Sequence, residues 1–330
     1  MRDPLSRKVL HALNTDAQLS TKEIAQRLRV RTHRVSYAER MMRERYGLVS
    51  IPFINYGRLG IVSYLIFFSL RSGERRSAVL EAILAHPRVG WLGELAGCFE
   101  FGCAFLATDV RQVGDFFESI CNRCGDVFSN RQIVPRLTFE WFGRRYLAPS
   151  AKQARSLKYT SRDEAVPLDK LDIAILAAIG SKGVDSVKDV ALRVGVPYPT
   201  AVRRVRTLED MGVIEGYFAS VNPEVLNREA YRILVQTGTS SRKAANAIRA
   251  IAEGDVRATF YVECLGPWEF ELGWELESAR ELTEITGMIS ASLARHGVQM
   301  QVLNELCDLR WTFFPSPEIA APPNLKCAYS

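Results

Sequence analysis

The chain has 330 residues, 47% hydrophobic and 24% charged, an ordinary globular balance that excludes collagen, a coiled-coil rod and wholesale disorder. At roughly 100–200 residues per domain it has room for two or three cores. The net charge of +6 is uneven, +8 over residues 1–150 and −2 over residues 151–330, with 11 basic and 5 acidic side chains in the first 50, which raises a polyanionic partner for the front of the chain.

The first elements read as three short helices. Val9 to Leu13 and Ser20 to Leu28 supply two, and a third follows with Val35, Ala38 and Met41 turned inward. That leaves His33, Arg34, Tyr37, Arg40 and Arg43 facing outward on the third helix, and Arg31 in the turn before it. Two helices, a tight turn and an exposed third helix make a helix-turn-helix, whose last helix enters the DNA major groove. Arginines there fork onto guanine or pair with phosphate. For one isolated helix a solvated face is the plainer explanation. Leu48-Val-Ser-Ile51 stands where a wing strand would follow.

Ile61 to Leu70 is the most apolar stretch, but its ten residues fall short of the about 20 that a spanning helix needs, so no membrane segment is expected. Phe101-Gly-Cys-Ala-Phe-Leu-Ala107 is uncharged on both faces, which suits a dry sheet-to-sheet contact and a homodimer through the sheets. Cys98, Cys103, Cys121 and Cys124 fall in the same region. A single C-x-x-C does not make the paired spacings of a four-thiolate zinc site, so inert thiols and no metal are expected. Seven cysteines, an odd count, do not form a disulfide framework. Without the apolar core of a secretory signal after Met1, the expected compartment is the cytoplasm. Residues 148–167, polar and breaker-containing, read as a linker.

The second half starts over. Leu168 to Ile179 carries an apolar helical face, Ser186 caps a second helix with Asp189 completing a loose capping box, and Gly195 ends it. A third helix from Pro199 to Met211 turns Val202, Val205 and Leu208 inward. It offers Thr200, Arg203, Arg204, Arg206 and Thr207 to DNA, with Tyr198 in the preceding turn. Gly212 to Tyr217 has the short apolar look of a wing. Seven basic and seven acidic residues over 168–217 give this reader the weaker electrostatic claim.

Strand, helix, strand, strand, helix and strand then follow over Tyr231–Thr237, Arg242–Glu253, Arg257–Cys264, Trp268–Leu276, Ala279–His296 and Val298–Phe313. That order is ferredoxin-like. In the third strand Trp268, Phe270, Leu272 and Trp274 share one face, and Glu269, Glu271 and Glu275 the other. Carboxylates cannot be buried unpaired. They either pair with arginines such as Arg232 or Arg310, or bind a cationic ligand. The end, Pro315 to Ser330, holds four prolines and reads as an irregular tail.

The two halves match. Val9–Leu13 and Ser20–Leu28 align with Ile175–Ile179 and Ser186–Val194 at an offset of 166, and Ala96–Phe101 aligns with Leu265–Phe270 at 169. The run Leu168-Asp-Lys-Leu-Asp-Ile-Ala-Ile-Leu176, then Val194 to Glu209, then Gly212-Val-Ile-Glu-Gly-Tyr217, resembles the Lrp/AsnC family of transcriptional regulators. The resemblance covers nearly all of the second half and, more weakly, the first. It implies that the ferredoxin-like domains sense ligands and oligomerise. Amino-acid effectors then bind near the turn between the second and third strands, here Gly97 and Glu100, and Gly266, Glu269 and Glu271.

The expectation is therefore an α+β protein built by internal duplication. It has winged helix-turn-helix domains at 1–52 and 168–221, ferredoxin-like domains at 53–147 and 222–314, a linker at 148–167 and a tail at 315–330. It would bind double-stranded DNA at non-identical half-sites, because the two reading helices differ, and respond to a small-molecule effector. Two other classes remain open: a scaffold that has lost DNA binding, and an enzyme resembling the sirohaem decarboxylases. The latter resemble one another in His- and Tyr-rich segments around the second and third sensing-domain strands. His11, His33, His86 and His296 all fall outside those strands, and no Ser/His/Asp set or phosphate loop is present. No enzyme and no cofactor are expected.

Overall fold

The computed structural model describes residues 1, 3–149, 156–180, 186–238, 242–293, 297–314 and 316–317. His296, Cys327, the expected end of the helix at 294–296 and most of the proline-rich tail lie outside them. Helices α1 (Pro4–Thr15), α2 (Thr21–Leu28) and α3 (Thr32–Tyr46) lead into β1 (Val49–Ile54). Then come β2 (Val62–Leu70), α4 (Arg76–Ala85), β3 (Val89–Ala96), β4 (Phe101–Ala107), α5 (Arg111–Cys124) and β5 (Phe128–Trp141). After β6 (Leu157–Thr160) the types recur as α6 (Lys170–Ile179), α7 (Val187–Val194), α8 (Tyr198–Asp210) and β7 (Ile214–Ser220). The chain ends with β8 (Glu229–Gln236), α9 (Arg242–Gly254), β9 (Ala258–Cys264), β10 (Phe270–Leu276), α10 (Ala279–Ser292) and β11 (Gln299–Trp311). Strand β6 falls inside the stretch expected to be a linker. Its Tyr159 is buried, edge-on to Tyr56 at 5.0 Å, an apolar anchor that the polar surroundings hid.

Local chemistry sets the helix ends. Ser20 and Glu23 form a reciprocal capping box on α2, and Asp169 and Asp172 do the same on α6. Ser186 accepts from the Asp189 amide at the start of α7, and Pro199 sits in the first turn of α8, where a missing N–H costs nothing. The inward faces differ from expectation by one position each. In α3 the buried residues are Val35, Ala38 and Met42, so Met42 replaces Met41; in α8 they are Ala201, Val205 and Leu208, so Ala201 replaces Val202. Steps of three drift off a 3.6-residue helix, whereas steps of three and four stay on one face.

The chain forms two compact units, and neither is a half of the sequence. Unit 1 gathers Met1–Phe53, Phe139–Lys158 and Gly216–Leu306. Its first three helices close a core of Val9, Leu10, Leu13, Ile24, Val35, Ala38 and Met42, completed by Tyr146, Leu147, Ala219, Val221 and Leu226. Strands β1 and β7 pair in a two-stranded sheet. In the larger sheet of this unit β8 lies between β11 and β10, with β9 beyond β10. Ile233 faces Val302 on one side and Leu272 on the other, all antiparallel. Ile233, Ile248, Leu272, Trp274, Ile285 and Ile289 pack helices α9 and α10 against one face.

The opposite face of β10 is acidic and buried, and its glutamates are paired. Glu271, fully buried, lies 2.7 Å from Arg232, which also reaches Glu305 at 2.6 Å. Glu275 pairs with Arg144 at 2.8 Å. Arg310, the other expected partner, instead donates to the Leu84 carbonyl at 2.6 Å, within unit 2. The sequence expectation had no means of weighing Arg144, which lies 131 positions from its glutamate.

Unit 2 gathers Ile54–Thr138, Tyr159–Glu215 and the chain from Cys307. Its sheet runs β3, β4, β2, with β5 on the other side of β2. Ile66 faces Cys103 and Ile133, and the register is again antiparallel. Helices α4 and α5 cover one face around Phe68, Phe101, Phe105, Phe116 and Ile120, with Cys103 and Cys124 inside this core. Every residue of β4 is buried within a single chain. Helices α6, α7 and α8 belong to this unit.

Candidate nucleic-acid interface

Each three-helix group presents its third helix to solvent. On α3, capped at Gly47 in the left-handed region (φ +64°), residues Arg31, His33, Arg34, Tyr37, Arg40 and Arg43 are all exposed. Tyr37 is 58% exposed, and the Arg40 guanidinium lies 5.6 Å from its ring centroid, within cation–π reach. A shallow depression is lined by Asp3, Leu5, His33, Arg34, Tyr37 and Arg40. Asp3 caps α1, and the Ser6 hydroxyl and amide that donate to it hold its carboxyl below the usual range. Glu39 is drawn aside by the Thr21 hydroxyl, which donates to it at 2.8 Å. The face that remains carries a dense array of donors with positive charge, the chemistry that phosphates and guanine edges accept.

On α8 the array is thinner. Tyr198, Arg203, Arg206 and Thr207 are exposed and Thr200 is half-buried. The Thr207 hydroxyl donates back to the Arg203 carbonyl at 3.0 Å. Arg204 turns away from the others to Asp169 at 2.8 Å and Asp172 at 3.1 Å. Through the offset of 166, α3 offers Arg34, Arg40 and Arg43 where α8 has Thr200, Arg206 and Glu209. The exposed face of α3 is the more basic of the two.

The effector candidates occupy two equivalent turns. Gly97 takes φ +135°, a conformation that favours glycine. Glu100 accepts from the Leu70 amide at 3.3 Å, and Glu269 accepts from the Thr237 amide at 2.7 Å. Glu271 is held by Arg232 and by the Trp268 indole N–H at 3.1 Å. All three carboxylates therefore tie the turns to their own sheets. Sequence reasoning missed Arg144 and Tyr146, which meet at Glu275.

Other chemistry is sparse among the described residues. His11 lies in α1, where burial lowers its pKa. His33 is exposed on α3, and His86 packs against Phe105 and Phe116. No group of three or more His, Cys, Asp or Glu is placed to hold a metal ion, and no helix is long and apolar enough to cross a membrane.

Residues 168–215 match the winged helix-turn-helix DNA-binding family. Over 60 residues the chain is 42% identical to the Bkd operon transcriptional regulator of Pseudomonas aeruginosa, and over 61 residues 43% identical to the leucine-responsive regulatory protein of Rhizobium meliloti. Each match takes in 18% of this chain and 39% of the relative, so the chain spans about two-fifths of the length of these curated relatives. The whole chain is similar in fold to the siroheme decarboxylase NirDL, with a TM-score of 0.60, 13% identity and 96% of each chain covered.

Proposed function

We propose that the chain is a sequence-specific DNA-binding transcriptional regulator of the Lrp/AsnC type, made by internal duplication. Its two winged helix-turn-helix readers, 1–52 and 168–221, accompany two ferredoxin-like domains, 53–147 and 222–314. The observation that carries this reading is the exposed face of α3, where Arg31, His33, Arg34, Tyr37, Arg40 and Arg43 stand together. The match of 168–215 to a DNA-binding family supports it for the second reader. On this reading the protein works in the cytoplasm on double-stranded DNA, and an amino-acid-like effector acts at the turns of Gly97 and Gly266. A homodimer through the sheets would use strands other than β4, which is buried throughout.

The test is binding to fragmented genomic DNA across a salt series, comparing the native chain with Arg34→Ala/Arg40→Ala and Arg203→Ala/Arg206→Ala. A few fragments should be enriched over bulk DNA. Removing one phosphate-neutralising arginine should reduce the salt slope by about one. No enrichment, and no change in either variant, sinks the reading.

The whole-chain likeness to NirDL favours a second reading, an enzyme that decarboxylates a tetrapyrrole. Titration with sirohaem decides between them. A shifted Soret band together with release of carbon dioxide would replace the regulator by the enzyme.

A further inference from the structure

The geometry points to the buried pair Arg144–Glu275 as the contact that positions the first reader for DNA, a role that rests on the regulator reading. Arg144 Nε lies 2.8 Å from Glu275 Oε2 and Nη2 lies 2.9 Å from Oε1, with the side chains only 2% and 6% exposed. Nη2 also donates to the Val221 carbonyl at 2.7 Å. The Arg144 amide donates to Asn14 Oδ1 at 2.6 Å, and Asn14 Nδ2 donates to the Ala219 carbonyl at 2.8 Å. Asn14 belongs to α1, the first helix of reader 1. Gly143 eases the approach: its φ of +71° favours glycine, and a Cβ there would stand 2.6 Å from Asn14 Oδ1 and push that side chain aside. An unbroken path of hydrogen bonds thus runs from α1 to β10.

The flanking residues lock the same seat. The Tyr146 hydroxyl donates to Glu275, and Tyr146 and Leu147 close the core of reader 1. Arg228 donates to the Glu275 carbonyl at 2.8 Å and lies 4.0 Å over the Tyr146 ring. Arg145 donates to the carbonyls of Ala252, Glu253 and Asp255 at the C-terminal end of α9, where a cation is favoured.

The matching positions of unit 2 show that burial alone does not require charge here. Phe142 donates its amide to Thr259 O in unit 1, as Thr312 does to Gly90 O in unit 2. By that equivalence Phe314 stands for Arg144, and by the offset of 169 Leu106 stands for Glu275; both are 1% exposed. A buried ion pair is costly to desolvate, and losing one partner strands the other's charge. Apolar side chains can slide, whereas a forked guanidinium–carboxylate contact has one geometry. The pair therefore fixes where reader 1 sits. Because Glu275 is on β10, the strand that follows the Gly266 turn, a ligand moving that strand acts on the reader from the other half of the sequence.

The test uses the full chain and duplexes that the native protein enriches from genomic DNA. Glu275→Gln is expected to lower affinity at least about tenfold and to reduce the salt slope towards that of Arg34→Ala/Arg40→Ala. Adding Arg34→Ala/Arg40→Ala to it should then cost nothing more, while adding Arg203→Ala/Arg206→Ala should cost the same factor as in the native chain. Arg144→Met/Glu275→Leu replaces the pair by apolar side chains, a change that buried pairs tolerate, and should show the same non-additivity in a folded protein. Losses that multiply with Arg34→Ala/Arg40→Ala, or unchanged affinity in both variants, overturn the inference. Hydrogen exchange supplies a readout without DNA. In both variants the α1 amides should exchange faster while those of β8 and β10 keep their native protection. Native protection in α1 overturns the inference even if the native chain enriches no duplex, the result that sinks the regulator reading itself.

Discussion

Arg204, on the exposed third helix of the second reader, lies 2.8 Å from Asp169, the N-cap of α6. The Asp172 amide and, after it, Arg204 hold the Asp169 carboxyl below its usual range. A residue in this state ties two helices together rather than waiting for phosphate. Arg204→Gln should lower the melting temperature while weakening DNA binding less than Arg203→Ala or Arg206→Ala does. Because the Asp169 pKa is depressed, its share of stability is present above the ordinary carboxylate pKa and lost as pH falls below it. A DNA-affinity loss in Arg204→Gln larger than in either neighbour would falsify this division of labour.

Met42 is fully buried in the core of reader 1, and Met41 is only half-buried. Deleting a buried Met side chain costs roughly 2–5 kcal/mol, so Met42→Ala should destabilise strongly. Met41→Ala should cost less than about 1 kcal/mol, the ordinary effect of a change outside the core. Equilibrium urea unfolding of the two variants separates them, and the reverse ranking would restore the Met41 register.

The element types of both halves were legible because each carries its own local signal. Ser186 with Asp189 marks a helix start, and Trp268 to Leu276 alternates as a strand must. The pairing of elements was not. Asn14, Arg144, Val221 and Glu275 are spread along the chain with no shared period, and only folding brings them together. Chemical necessity foretold part of the answer: Glu271 had to find a cation, and it found Arg232. Nothing local distinguished Arg144 from Arg310 as the partner of Glu275, because both are arginines near the end of a long strand.

Gly273 is needed for space rather than for backbone freedom. A Cβ there would stand 2.1 Å from Cε1 of Phe260, whose ring also carries the Arg232 guanidinium 4.7 Å from its centroid. The ring cannot retreat without disturbing the arginine that neutralises Glu271. Gly273→Ala should therefore destabilise unit 1 by about 1–3 kcal/mol, the usual cost of overpacking. Gly114→Ala, where a Cβ would meet open space on α5, is the control and should be neutral or slightly stabilising. A Gly273→Ala chain as stable as the control would show that Phe260 moves freely.

His86 gives unit 2 a sensitivity to acid. Burial, followed by the nearby charges of Arg88 and Arg310, pushes its pKa down from 6.5 to about 4. The ring lies 5.2 Å from both Phe105 and Phe116, and Nδ1 accepts from the Arg88 amide at 3.2 Å. Protonation would remove that acceptor and place charge against the aromatic core. Since the unfolded chain takes up the proton first, the stabilising effect of neutral His86 is complete above pH 6.5. It declines as pH falls towards about 4, where the folded form also protonates. His86→Gln cannot titrate, so its melting temperature should fall less than that of the native chain between pH 7 and pH 4.5. Carboxylates titrate in both proteins and cancel from the comparison. Equal falls in the two would mean that His86 is solvated well enough to protonate in place.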